Sequence, residues 1–129
     1  KIYNEKKLIH LCNNLPPTWP HGLDFEIFDF RSLSKMLKMS PTKRDKEHVT
    51  PLLRNNTKIK RMNLKCPIKL KKYYRWTLDT SNDYLFLKKL FNERPKLFYN
   101  YRWTVPFKYL KNKNSIQSIN ASTHHFYGL

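Results

Sequence analysis

Residues 74–92 read YRWTLDTSNDYLFLKKLFN, and within these 19 positions the chain changes period from two to 3.6. Tyr74, Arg75, Trp76, Thr77 and Leu78 form a run rich in aromatic and β-branched side chains, which predicts a strand. The run stops at Asp79. Thr80 or Ser81 then caps a helix reaching Asn92, with Tyr84, Leu85, Leu87, Lys88 and Phe91 marking its face. Upstream, residues 8–12 (LIHLC) form a short apolar run consistent with a strand, and residues 23–28 (LDFEIF) alternate apolar and acidic side chains with period two. Between them, NNLPPTWP at 13–20 must be an extended loop, because proline excludes helix and restricts the residue before it. Leu33, Met36 and Leu37 have helical spacing within 30–38, and a loop covers 39–46. Thr50 is placed to cap a helix carrying Pro51 in its first turn, residues 59–64 alternate as another strand, and 104–112 forms the last helix. Strands alternating with helices indicate an α/β architecture, and three or four strands make a small sheet.

The composition bounds the rest. One hundred twenty-nine residues allow a single domain segment, 1–129, with the sheet and its helices in 8–93 and a basic C-terminal helix and tail in 94–129. Two glycines are too few for a phosphate-cradling loop with three, which excludes a dinucleotide fingerprint and a P-loop. Twenty-six Lys and Arg face nine Asp and Glu, a formal charge of +17 that attracts polyanions. From Arg31 to Arg75 there are 15 basic residues and two acids, and the densest part holds Lys58, Lys60, Arg61, Lys65, Lys69, Lys71 and Lys72 with no acid. A lysine-rich solvated surface is the plainer reading of that charge. Cys12 and Cys66 lie far apart, form no Cys-x-x-Cys pair and read as buried thiols in a reducing compartment, with a disulfide as the unsupported alternative; together with the absence of a signal-peptide pattern this points to the cytoplasm. No run approaches 18 apolar residues, so no membrane span is expected. A first residue other than methionine suggests a processed, trimmed or partial gene product.

With so few acids, their placement is informative. Asp24 and Glu26 lie two apart in a predicted strand and so share one face. Such a pair repels unless a cation or a ligand's donors lie between; otherwise they are surface acids neutralised by surplus lysines. Asp79 stands at the carboxyl end of a predicted strand ahead of a helix, where open α/β sheets bind ligands, and could hold Mg2+ through one oxygen. Asp83, three residues after Thr80, sits near the positive end of the helix dipole and reads as a stabiliser of that helix. His10, His21, His48, His124 and His125 show no zinc-site spacing with the cysteines, and no Ser-His-Asp arrangement is supported.

Three segments in order, LPPTWPHGLDFEIFDF (15–30), EHVTP (47–51) and RWTLDTSNDY (75–84), together with Ile119-Asn120, resemble the spore-coat polysaccharide (SpsF-type) cytidylyltransferase-like family. That family is related to the synthetases that make CMP-activated Kdo and acylneuraminate. Its pattern runs Pro-x-Gly-Leu-Asp-x-Glu-x-Phe, Arg-Glu-His-Val-Thr-Pro and Val-Asp-Thr-Pro-Glu-Asp. The resemblance implies a nucleotide-diphospho-sugar transferase-like (GT-A type, Rossmann-like) fold, a Mg2+ cofactor, and CTP with a sugar or sugar acid as substrates. It puts Asp79 on the metal and makes Asp24, Glu26, Glu47 and His48 substrate-side residues in a region that also joins subunits. Lys46 stands where the family has Arg, and Ser81-Asn82 replaces Pro-Glu, which weakens the turn match. The amino-terminal part of the pattern, with its triphosphate-gripping loop and second metal-binding Asp, has no counterpart here. The chain resembles the carboxyl-terminal half, expected to be inactive alone and to work as a homodimer or with a missing half.

Two function classes follow. One is a segment of a nucleotidyltransferase that makes a CMP-sugar for surface polysaccharide. The other is a non-enzymatic basic subunit of an RNA–protein or organellar assembly that keeps the fold, with Lys58, Lys60, Arg61, Lys69, Lys71 and Lys72 on phosphates and Tyr73, Tyr74 and Trp76 on bases. The retained Asp24, Glu26 and Asp79 favour the first, and the charge favours the second.

Overall fold

The computed structural model describes residues 1–39 and 41–123; His124, His125 and the end of the basic tail lie outside the described residues. The chain forms two compact units. The first comprises Lys1–Trp19 and Asp24–Leu70, and the second Pro20–Leu23 together with 71–123. The boundary therefore falls after Leu70, inside the stretch 8–93 that the sequence suggested was continuous.

The first body runs α1 (Ile2–Glu5), β1 (His10–Cys12), β2 (Glu26–Phe28), α2 (Phe30–Leu37), α3 (Lys43–His48), α4 (Pro51–Asn55) and β3 (Arg61–Asn63). Its mixed sheet has the order β2-β1-β3, with β1 antiparallel to β2 (Cys12 opposite Glu26) and parallel to β3 (His10 opposite Arg61). All three residues of β1 are buried, as a central strand requires, and the apolar interior is Leu8, Leu11, Cys12, Met36 and Leu53. Asp29 caps α2 by accepting from the Ser32 N–H at 2.6 Å. Residues 42–45 supply a reciprocal capping box in which the Asp45 N–H donates to the Thr42 hydroxyl and the Asp45 carboxylate accepts from the Thr42 N–H. That box starts α3 where the sequence suggested a loop.

The second body contains α5 (Ser81–Glu93), a 3-10 helix (Pro95–Tyr99), α6 (Thr104–Leu110) and α7 (Asn114–Gln117). Phe86, Leu90, Leu110 and Ile116 form its core, covered by Trp76, Leu87, Leu97, Tyr109 and Ile119. Two expectations change here. Residues 74–78 are not a strand: Arg75 makes one parallel bridge to His21, through His21 N–H to Tyr74 O (2.9 Å) and Trp76 N–H to His21 O (2.7 Å). The partner segment is only Pro20–Leu23, and it turns away at Gly22, so no ladder propagates. The buried face of α5 is Asp83, Phe86 and Leu90, whereas Tyr84, Leu85 and Phe91 are exposed. Apolar residues occupy both sides of this helix, so period alone did not select the face.

Candidate functional site

Two polar clusters arise, one in each body. In the first, β2 and β1 bring Glu26 beside His10, and α4 adds Arg54. His10 Nε2–H donates to Glu26 Oε2 at 2.7 Å, while Glu26 Oε1 accepts from Arg54 (2.7 Å) and from the Thr50 hydroxyl (3.1 Å). Thr50 occupies the N-cap position of α4, but its side chain makes no capping bond and serves Glu26 instead. Burial raises the cost of charging Glu26, yet the hydrogen bonds from His10 and Arg54 prevail and hold its carboxyl below the usual carboxylate range. The cation that a Glu26 charge needs is thus supplied internally. Asp24 precedes β2 and is exposed, so the two acids do not form a strand-face pair. Glu47 and His48 lie at the end of α3, also exposed. Cys12 is fully buried, and burial pushes its thiol pKa up, which makes it an inert core residue rather than a nucleophile. Both cysteines are free thiols, but only Cys12 is buried; Cys66, read as buried too, is half-exposed.

In the second body the corner 75–83 is organised by Asp83 rather than Asp79. Asp83 is fully buried and takes a two-pronged bond from Arg75, Nε to Oδ1 at 2.8 Å and NH2 to Oδ2 at 2.7 Å. Asn120 Nδ2 donates to Oδ1 (2.9 Å), and the Asp79 and Thr80 N–H groups donate to Oδ2 (3.1 Å each). The Thr80 hydroxyl accepts from the Asp83 N–H at 3.2 Å, completing the capping box expected for α5. The Arg75 guanidinium, opposed by burial and aided by Asn120, holds the Asp83 carboxyl far below the usual carboxylate range. Asp79 is the opposite case. Its side chain is 65% exposed, and Oδ2 accepts from Arg75 NH2 at 3.0 Å. Asp83 already neutralises Arg75, so the cluster keeps one negative charge, and it resides on the exposed Asp79.

A divalent cation at this corner would find one oxygen-bearing carboxylate. Among the described residues no group of three His, Cys, Asp or Glu side chains is gathered to hold a metal. A lone carboxylate suits only an ion such as Mg2+ that keeps its other positions for waters and phosphates.

The basic candidates separate between the bodies. Lys58, Lys60 and Lys69 are exposed in the first, as is Lys71 in the second. Arg61 is half-buried and donates to the Arg54 carbonyl, and Lys72 donates to Asn114 Oδ1 at 2.7 Å. The residues the sequence did not single out are His10, Arg54 and Arg75. Arg75 carried a signal, four residues before Asp79 and eight before Asp83, whereas His10 and Arg54 meet Glu26 only through the sheet and α4.

No family model matches the sequence, and no curated protein matches it. A solved structure of a cytidylyltransferase from Leptospira borgpetersenii serovar Hardjo-bovis (strain JB197) is similar at 26% identity, with a TM-score of 0.78 over 97% of this chain and 51% of that one. The chain spans about half the length of that enzyme. Among the described residues no helix is long and apolar enough to cross a membrane.

Proposed function

We propose that the chain is the carboxyl-terminal half of a cytidylyltransferase of the nucleotide-diphospho-sugar transferase-like (GT-A, Rossmann-like) type, acting in synthesis of a CMP-activated sugar for surface polysaccharide. The observation that carries this reading is the likeness of nearly the whole chain to half of a cytidylyltransferase, with small mixed sheet and flanking helices. In the reaction a sugar hydroxyl or carboxylate oxygen bonds to the α-phosphorus of CTP, and the bond to pyrophosphate breaks. Asp79 is the residue offered to Mg2+, which when bound neutralises triphosphate charge. Arg75 fixes one Asp79 oxygen, and Asp83 cancels the Arg75 charge so that Asp79 stays attractive to a cation. Asp24, Glu47 and His48, all exposed, are the sugar-side residues. Glu26 positions β2 and α4 through its three internal partners instead of reaching a ligand. Working as a homodimer or with a second half, and in the cytoplasm, belongs to the same proposal.

Residues 1–129 by themselves lack a loop to grip the triphosphate, and the first expected outcome is no pyrophosphate release from CTP with any sugar acid. The metal assignment is tested on the same chain with Mn2+ as a paramagnetic substitute for Mg2+. Backbone resonances of 78–81 should broaden, the effect should vanish in Asp79→Asn, and Glu47→Gln should leave it intact. Turnover by residues 1–129 alone overturns the half-enzyme reading; broadening that ignores Asp79→Asn overturns the metal ligand.

A second reading, a non-enzymatic basic subunit of an RNA–protein assembly, has the exposed Lys58, Lys60, Lys69 and Lys71 in its favour.

A further inference from the structure

We infer that residues 94–102 of the second body, RPKLFYNYR, form a binding strip for single-stranded nucleic acid. The strip covers the exit of α5, the 3-10 helix Pro95–Tyr99 and the approach to α6. It contains Arg94, Lys96 and Arg102 interleaved with Phe98, Tyr99 and Tyr101, and no acid follows Glu93 in the sequence. The aliphatic member, Leu97, packs against the core, while the rings are turned out: Tyr99 is 80% exposed, Tyr101 89% and Phe98 45%. Rings this exposed contribute little to folding, since burial is what makes an aromatic stabilising.

Their neighbours define the chemistry they suit. The Arg102 guanidinium lies 5.6 Å from the centre of the Tyr101 ring. Arg94 and Lys113 lie 5.7 and 5.4 Å from the centre of Tyr109. Phe98 is held edge-on to Phe91, with centroids 5.3 Å apart and planes at 70°. A nucleotide needs a flat π surface for its base and a cation for its phosphate, and here each is offered beside the other. The one acid at the margin, Glu93, is engaged by the Tyr109 hydroxyl (2.8 Å) and Lys89 (3.5 Å), which limits its repulsion of phosphate. Proline and the 3-10 turn fix the backbone under the rings, so less order has to be imposed on binding. A duplex hides its base faces within its own stack and would use only the cations. An apolar polypeptide would gain nothing from cations set against the rings. Single strands use both.

The inference is independent of CTP turnover, and so is its test. Fluorescence anisotropy of the intact chain is measured with roughly 12-nucleotide oligo(U) and oligo(dT), and with a duplex of equal length, a size that covers the usual single-strand sites. Both single strands should bind about tenfold or more tighter than the duplex; a preference between them reports the sugar and still supports the strip. Tyr99→Leu and Tyr101→Leu keep bulk but lose the π face, and each should weaken binding about tenfold with the salt slope unchanged. Tyr99→Phe should retain binding. Arg94→Ala, Lys96→Ala and Arg102→Ala should each reduce the log–log salt slope by about 0.7. Because these side chains are exposed, melting temperatures should not move. Undiminished binding in the leucine variants, equal affinity for the duplex, or no binding at about 0.15 M salt overturns the inference. So does loss of binding on Lys58→Ala, Lys60→Ala and Lys69→Ala with the strip variants silent.

Discussion

Gly22 has φ at 103°, and a Cβ added there would come within 2.6 Å of the Trp76 carbonyl oxygen and 2.8 Å of its carbon. The obstacle is backbone, so a side chain cannot simply rotate away. Gly22→Ala should therefore cost about 1–3 kcal/mol, seen as a lower urea midpoint with an unchanged slope. The Asp79 and Asp83 carboxylates, four residues apart, divide labour by burial. Asp83→Asn removes the buried counter-charge of Arg75, leaving the exposed Asp79 to balance it, and should cost about 3 kcal/mol, whereas Asp79→Asn, at an exposed pair, should change stability by less than about 1 kcal/mol. The pH dependence follows from the depressed Asp83 carboxyl. Its contribution is fully present above the unfolded value near 3.9 and is lost as pH falls through the lower folded value. Glu26, also depressed, acts in the same direction. Urea midpoints should thus fall on acidification below about pH 4, and in Asp83→Asn that fall should be smaller. A mutant as acid-sensitive as the parent would remove Asp83 from this role. In the sequence Asp83 was legible only as a helix-capping acid: Arg75 stands eight residues before it, but Asn120 comes from 37 residues downstream and burial depends on the folded corner.

At the scale of elements, the start of α5 was readable because a cap is a local arrangement of four residues, whereas Thr50, expected to cap α4, bonds Glu26 instead. Thr80 and Asp83 form the box expected at α5. Thr80→Ala should cost about 1 kcal/mol in a thermal or urea melt, and a change near zero would mean that Asp83 holds the corner without the hydroxyl. The box at Thr42 and Asp45 had the same local signature and went unread, since α3 is short, exposed and without apolar periodicity to announce it. Residues 74–78 had strand composition, but a strand requires a partner that pairs over several consecutive residues, and among the described residues the pairing is a single bridge of Arg75 with His21. The face of α5 was misassigned for a related reason. Apolar side chains surround it, and the side that became core is the one where Phe86 and Leu90 meet Leu110 and Ile116, chosen by residues that follow in the chain. What remains outward includes Tyr84 and Phe91, and the latter supports Phe98.

For the molecule as a whole, the charge, the absence of a glycine-rich phosphate loop and the α/β alternation were set by composition and short-range pattern. None depends on where a distant segment lands. A small sheet was expected from the alternation, yet its order was not readable, because β1 pairs in parallel with β3 some fifty residues away. The division after Leu70 was equally hidden, since no glycine- or serine-rich linker marks it, although aromatic residues rise from five in 1–70 to fourteen in 71–129. Tertiary structure also decided what each acid is for. Glu26 became an internal anchor when β1 and α4 delivered His10, Arg54 and Thr50. Asp83 became the buried hub when Asn120 arrived from 37 residues downstream, leaving Asp79 as the acid with free charge toward solvent. Sequence by itself set which groups could ionise, cap or stack, for those are properties of a residue and its neighbours. Only folding set which of them were taken out of water, and burial with or without a partner determines whether a charge holds the fold or faces a ligand.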